Sequence, residues 1–390
     1  MFKRKWQLVT QLVGWVAIGF TLLTAGDSRG QILPIIGDDN LIDAVRDKRY
    51  EAAKQLLKAE PQFVNLGKRN TKPCDEPRSN GWTALHWAVQ NDQLQFVNLL
   101  LDNRANPNIG SSSAVIPLSF ARSLDVAKRL IQAGANVNSV SDRSETPLMA
   151  AAHNGHNAVA HVLLENGADS KRADSYGNTA LHYACLNGNP ILVRLLVEQG
   201  VDIEAKNEDG KTPVWMAAHS IETVRLLVAN GASIKETTPK GRTLLHEAVQ
   251  RSGLEVARYI LDSGFEVNAR DNHEVTPLHL AAEVSSGNGR FYFESDGARE
   301  IALVELLLAR GAKIDVRTKP KPDSEYYDYE ENYDAVTPLA LAEDTAPPPR
   351  GNERPILIPQ HCGPNWFRNC ESMHNAKVKI AAILREHGAK

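Results

Sequence analysis

The sequence runs to 390 residues, 42% apolar and 23% charged, the balance of a chain that folds rather than one that stays disordered. Its 44 Lys and Arg stand against 47 Asp and Glu, a formal charge of −3. So weak a field cannot hold a phosphate backbone, which argues against nucleic acid as a partner.

The chain opens with Lys3, Arg4 and Lys5, followed by an uncharged stretch from Trp6 to Gly26 that is mostly apolar from Leu12 to Leu23 and ends in small residues. A basic start, an apolar middle and a small-residue end read as an export signal over residues 1–26. The alternative is an uncleaved N-terminal membrane anchor. Either one places the rest of the chain outside the cytoplasm, because the basic residues stay inside. Residues 27–37 form a linker. From 38 to 65, Leu41-Ile-Asp-Ala44 followed by Ala53 and Leu56-Leu57 predicts a short helical pair with one charged face. Residues 66–82 are an inserted loop between that pair and Thr83.

From Thr83 onward the sequence repeats itself. Thr83-Ala-Leu-His86, Thr146-Pro-Leu-Met149, Thr179-Ala-Leu-His182, Thr212-Pro-Val-Trp215, Thr243-Leu-Leu-His246, Thr276-Pro-Leu-His279 and Thr337-Pro-Leu-Ala340 begin equivalent units, with Ile116-Pro-Leu-Ser119 a weaker copy. Several steps are 33 residues long, as from 146 to 179 and from 243 to 276. Thr caps a helix start, and Pro at the next position forfeits no intrahelical bond. Leu85 and Ala88, like Leu181 and Ala184, then share one face. Asn154-Gly155 and Asn187-Gly188 break the chain between two helices, and a second Gly, as in Gly134 or Gly167, ends the second one. Turns such as Asp174-Ser-Tyr-Gly177 lead back to the next Thr. One such hairpin cannot bury its own apolar face, but a stack of them can.

This pattern resembles the ankyrin repeat in its Thr-Pro-Leu-His-x-Ala start, its Asn-Gly inter-helix turn and its Gly-Ala-Asp exit. The resemblance covers roughly residues 38–390, with 38–65 as the N-terminal capping repeat and about nine units in all. It implies an all-α ankyrin-repeat solenoid of helix-turn-helix units joined by β-hairpin-like loops, with no catalytic residues, no cofactor, no metal and no small-molecule substrate. It also implies that His86, His182, His246 and His279 bond the neighbouring repeat's loop instead of serving chemistry. The family generally meets a protein partner with its hairpin tips and the exposed side of its first helices. Carried over here, those positions are Asn80, Trp82, Arg143, Glu145, Ser175, Tyr176, Asp209, Lys211, Lys240, Arg242, Asn272 and His273, with Gln90, Asn91, His153, Asn154, Leu186 and Asn187 on first helices. Trp82, Tyr176 and Arg242 are the expected anchors, since such residues dominate interfaces.

Departures from the pattern mark further candidates. The units at Ile116 and Thr212 are short and lose the Asn-Gly turn. The unit at Thr276 is long, and its excess falls near 284–298 and in a finger at 319–336. The last repeat, 337–390, carries an insertion at 345–374 between its two helices. The finger holds Tyr326, Tyr327 and Tyr329 among acidic residues, a surface suited to a basic partner and equally readable as a solvated loop. Of the four Cys, Cys185 reads as a core thiol and Cys74 has no local partner. Cys362 and Cys370 are expected to form a disulfide in an exported chain, with a zinc site using His361 and His374 as the alternative. The functional expectation is a non-catalytic protein-interaction scaffold outside the cytoplasm. Its alternatives are a metal or enzymatic protein centred on 345–374 and a purely structural scaffold.

Overall fold

The computed structural model describes residues 41–67, 81–283, 297–319, 337–343 and 366–389, with the backbone alone for 366–373. The N-terminal segment, the Tyr-rich finger, Asn80, Cys74 and Cys362, and the Cys370 side chain lie outside the described parts. The described residues hold helices and turns and no named strand; two isolated antiparallel bridges, Gly67 to Thr83 and Ala173 to Thr179, are their only extended pairing. No helix among them is long and apolar enough to cross a membrane. The chain divides into two compact units, residues 1–106 and 107–390.

In the first unit, α1 (Leu41–Arg46) and α2 (Tyr50–Ala59) form a helical pair within the segment 38–65, and α3 (Ala84–Gln90) and α4 (Leu94–Asp102) the first full repeat. α1 packs on α2 and on α3, and α3 on α4, around Ala44, Val45, Leu57, Leu85, Ala88 and Leu100. The Tyr50 and Phe96 rings meet edge to face with centroids 5.4 Å apart. Trp82 also belongs to this core, at 6% exposure, stacked 5.6 Å from His86 and edge-on to Trp87 at 5.1 Å.

In the second unit the weak copy at Ile116 is reduced to a 3-10 turn, Pro117–Phe120, followed by α5 (Leu124–Gln132). The full pairs are α6 (Pro147–His153) with α7 (Asn157–Glu165), and α8 (Ala180–Asn187) with α9 (Pro190–Glu198). The short repeat pairs α10 (Pro213–Met216), a single turn, with α11 (Ile221–Ala229). Then come α12 (Leu244–Gln250) with α13 (Leu254–Asp262), α14 (Pro277–Ala282) with α15 (Ala298–Ala309), and α16 (Pro338–Glu343) with α17 (Trp366–Glu386). α17 begins inside the segment expected as a loop at 345–374, so its first turns extend the last repeat. First helices pack side by side, as α6 on α8 and α12 on α14, and second helices do the same behind them, as α7 on α9 and α13 on α15. Cys185 is a free, fully buried thiol in this core, and burial pushes its ionisation upward.

The recurring His is the polar bolt of the stack. Backbone N–H of Thr179, Thr243 and Thr276 donates to Nδ1 of His182, His246 and His279 at 3.1, 3.2 and 3.1 Å. A ring nitrogen that accepts from a backbone N–H carries no proton, so the proton sits on Nε2. From there it is donated to the next repeat: to the carbonyls of Lys211 (3.1 Å), Val275 (3.0 Å) and Val316 (3.1 Å). All three rings are fully buried.

A second ladder links the hairpin tips. Asp142 N–H donates to Ser113 O, Ser175 to Arg143 O, Glu208 to Tyr176 O, Asn272 to Lys240 O and Lys319 to His273 O, all within 2.8–3.1 Å. Both ladders fail at one joint. The equivalent tip position after Glu208 is Pro239, which has no N–H to give. The equivalent His is Trp215, and the Thr212 hydroxyl beneath it is buried without a hydrogen-bond partner. That joint is tied instead by Lys211 to Glu247 (2.9 Å), Lys206 to Glu236 (3.0 Å) and Ser233 N–H to Glu204 (2.6 Å).

The tip turns demand a left-handed residue, met by Gly177 (φ 76°), Gly210 (72°) and Gly241 (75°) but also by Ala114 (58°), Ser144 (59°) and Glu274 (62°). Alanine has no side-chain bond to compensate that conformation. Ala114→Gly should therefore stabilise the chain by about 0.5–1 kcal/mol, read from urea denaturation midpoints.

Candidate partner-binding face

Two rows of side chains meet on the tip-and-first-helix side of the second unit. The first comes from the tips, three residues before each capping Thr: Arg143, Tyr176, Asp209 and Lys240 are exposed, Tyr176 at 49%, and His273 is half-buried. The backbone ladder joins the Arg143, Tyr176 and Asp209 hairpins to one another and the Lys240 hairpin to that of His273, with the break at Pro239 between the two groups. The second comes from the first helices, one residue past the His position, where Ala150, Tyr183, Met216, Glu247 and Leu280 stand in succession. His153, Asn154 and Asn187 are exposed at the ends of their helices, with Leu186 half-buried.

The residues immediately before each capping Thr were expected on this face and do not all belong to it. Trp82 is core. Lys211 keeps 24% of its side chain exposed, but its ammonium is held by Glu247. Arg242 keeps 14%, with Nε on Asp271 Oδ2 at 3.3 Å and Nη1 on Gln250 Oε1 at 3.2 Å. The register is shared: the residue next to the capping Thr sits at the seam between repeats. At Lys211 and Val275 its carbonyl receives the previous repeat's His, whereas Trp215 takes the place of that His before Arg242. Trp82, Lys211 and Arg242 are thus cementing residues, and Glu145, half-buried in the same slot, forms no ion pair with a Lys or Arg among the described residues.

Glu145 is part of a cluster that sequence reading did not assemble. The Tyr183 hydroxyl donates to Asp174 Oδ2 at 2.6 Å, and His153 stacks on the Tyr183 ring at 5.1 Å. Asp174 Oδ1 accepts from the backbone N–H of Tyr176 (2.9 Å) and Asn178 (2.8 Å), closing the hairpin turn. Burial raises the Tyr183 phenol, with its bond to Asp174 adding to the shift. Burial likewise raises the Glu145 carboxyl; His153 and Arg143 pull it back, and Asp174 pushes it further up. Along the row, Glu247 lies between Lys211 Nζ at 2.9 Å and Arg251 Nε at 2.6 Å. The signal for both groupings was available: Asp174 opens a turn recognised in the sequence, and Glu247 fills the repeat slot that faces the residue before Thr one unit earlier. Among the described residues no group of three or more His, Cys, Asp or Glu stands as a metal-ligand set.

Compared with known families, residues 115–207, 192–271 and 217–318 match Ankyrin repeats (3 copies), and residues 80–112 match the single Ankyrin repeat. Among curated proteins, the E3 ubiquitin-protein ligase KEG of Arabidopsis thaliana is 30% identical over 122 residues, 25% of this chain and 8% of the ligase. The mitochondrial disaggregase of Bos taurus is 30% identical over 126 residues, 30% of this chain and 18% of that protein. Rabankyrin-5 of Homo sapiens is 34% identical over 96 residues, 24% of this chain and 7% of that protein. The chain therefore spans less than a fifth of these relatives' length. The crystal structure of the human ASB11 ankyrin repeat domain aligns with a TM-score of 0.48 at 25% identity, covering 59% of this chain and 98% of that one. Matched across more than half its length, the chain belongs to the ankyrin-repeat family, whose repeats make it a scaffold for protein–protein interaction.

Proposed function

We propose that this chain acts outside the cytoplasm and without catalysis, holding a protein partner on the tip-and-first-helix face of its second unit. The observation that carries the reading is the row of exposed tips at Arg143, Tyr176, Asp209 and Lys240, set at repeat spacing. Backbone hydrogen bonds join the first three hairpins, and side-chain ion pairs across the next joint tie in the fourth. Such a surface loses little conformational entropy on binding, and Tyr176 supplies a large amphipathic contact at small further cost. The extracytoplasmic part rests on Lys3 to Lys5 and the apolar stretch after them, and fractionation of tagged cells tests it separately.

Capture of the partner from the exported fraction, followed by affinity measurement, tests the face. Replacing Tyr176, Asp209 and Lys240 together with Ala should weaken binding by about tenfold to a hundredfold, the effect of losing one to two interface anchors. Ile191→Ala, on the exposed side of second helix α9, should leave affinity unchanged. Equal sensitivity to both variants would move the interface elsewhere.

A further inference from the structure

Three acids towards the C-terminal end of this face of the second unit are answered by a cation. Glu247 has Lys211 and Arg251, Asp271 has Arg242, and Glu274 has Lys319. Glu145, Asp174 and Asp209, on three successive hairpins, have no ion pair with any Lys or Arg among the described residues, although Arg143 stands on the first of those tips. Between them lie two aromatic surfaces: Tyr183, backed by His153 at 5.1 Å, and the half-exposed Tyr176, whose carbonyl binds the Asp209 hairpin through Glu208 N–H at 2.9 Å. Carboxylates that accept in pairs beside ring faces are the surroundings a guanidinium seeks, since it is planar, weakly hydrated and donates from a fork.

Resting on the reading that this face binds protein, we propose that the stretch from Glu145 to Asp209 receives arginine side chains of a basic, extended partner segment. Glu145 and Asp209 take the direct contacts. Asp174 contributes charge, since its oxygens already serve Tyr183, Tyr176 and Asn178.

The test is selection of a random linear peptide library, displayed on phage, against the full chain, with recovered peptides remeasured on purified variants. Selected peptides should be enriched in Arg, and replacing those Arg with citrulline should abolish binding. The double variant Glu145→Gln, Asp209→Asn, checked for an unchanged melting temperature, should weaken them by about tenfold or more. Glu222→Gln, on second helix α11, should not. No recovered binder, or binders without Arg enrichment that ignore the double variant, would overturn the proposal. Binders lacking Arg but lost on Tyr176→Ala would sink the basic partner and keep the face. Binders indifferent to every tip substitution would sink both.

Discussion

Glu247→Ala should lower the free energy of unfolding by about 3–5 kcal/mol, the cost of orphaning one side of a buried ionic network. The carboxylate is 3% exposed and touches Lys211 across the repeat boundary at 2.9 Å and Arg251 on its own helix at 2.6 Å. Burial by itself would raise its pKa; Lys211 and Arg251 overcome that and hold it below the usual carboxylate range. Removing it strips Lys211 of the carboxylate that holds its ammonium in a partly dry seam and takes one partner from Arg251. The position aggravates the loss, because this is the joint at which Pro239 and Trp215 have removed both hydrogen-bonded ladders. In a stack stabilised by nearest-neighbour terms, weakening one joint decouples the two sides. The urea transition of Glu247→Ala should therefore broaden or split as well as shift. Replacing Glu247 and Lys211 together with Met should cost less than Glu247→Ala, since the Lys211 charge is then not stranded. A loss under about 1 kcal/mol for Glu247→Ala would class the trio with ordinary surface pairs and refute the account.

The same joint marks where sequence reading succeeded and where it stopped. Thr-x-x-His spacing located the first helices because the motif is a local instruction: Thr starts the helix and His, three residues on, closes back onto the Thr backbone. Left-handed Gly at 134, 155, 167 and 188 likewise announced where helices end. What a period cannot convey is which way a side chain leaves its slot. Trp82 and Arg242 were placed by register at the tips, but the seam lies one residue from the capping Thr and the solvent three. Large or charged residues in the seam slot find partners in the adjacent repeat, at separations such as 36 residues for Lys211 and Glu247. The Glu145, His153, Asp174 and Tyr183 grouping was hidden for the same reason, drawing on two repeats and two slots in each. The shortened unit at Thr212 was visible as a gap in the step, whereas its consequence, a joint without ladders, needed Pro239 and Trp215 to be set opposite their partners.

Mild acid should begin to unfasten this stack before Glu247 protonates. His246 is fully buried, and burial is the chief cause lowering its pKa from 6.5 to about 4, against the opposing bond to the Val275 carbonyl. His182 is lowered in the same direction for the same cause. A folded pKa below the unfolded one means that the unfolded chain takes up the proton first. The His246 contribution is complete above pH 6.5, is lost as pH falls through the interval down to about 4, and is level below it. For this one ring the loss across that window is about 3 kcal/mol. Glu247 lies on the other side of the arithmetic: its lowered pKa means stability that persists until pH drops below the ordinary carboxylate value, so its loss begins where the histidine loss ends. Protonation is costly because Nδ1 already accepts the Thr243 N–H at 3.2 Å, and a second ring proton would turn that bond into a clash of donors. Urea unfolding followed at about pH 7, 6, 5 and 4 separates the effects. His246→Gln should cost about 1–3 kcal/mol at neutral pH, where it loses a satisfied buried group. That deficit should shrink as the pH falls to about 4, because the variant no longer carries the proton-linked loss. Parallel pH profiles for the two proteins would mean that the buried ring does not govern acid stability.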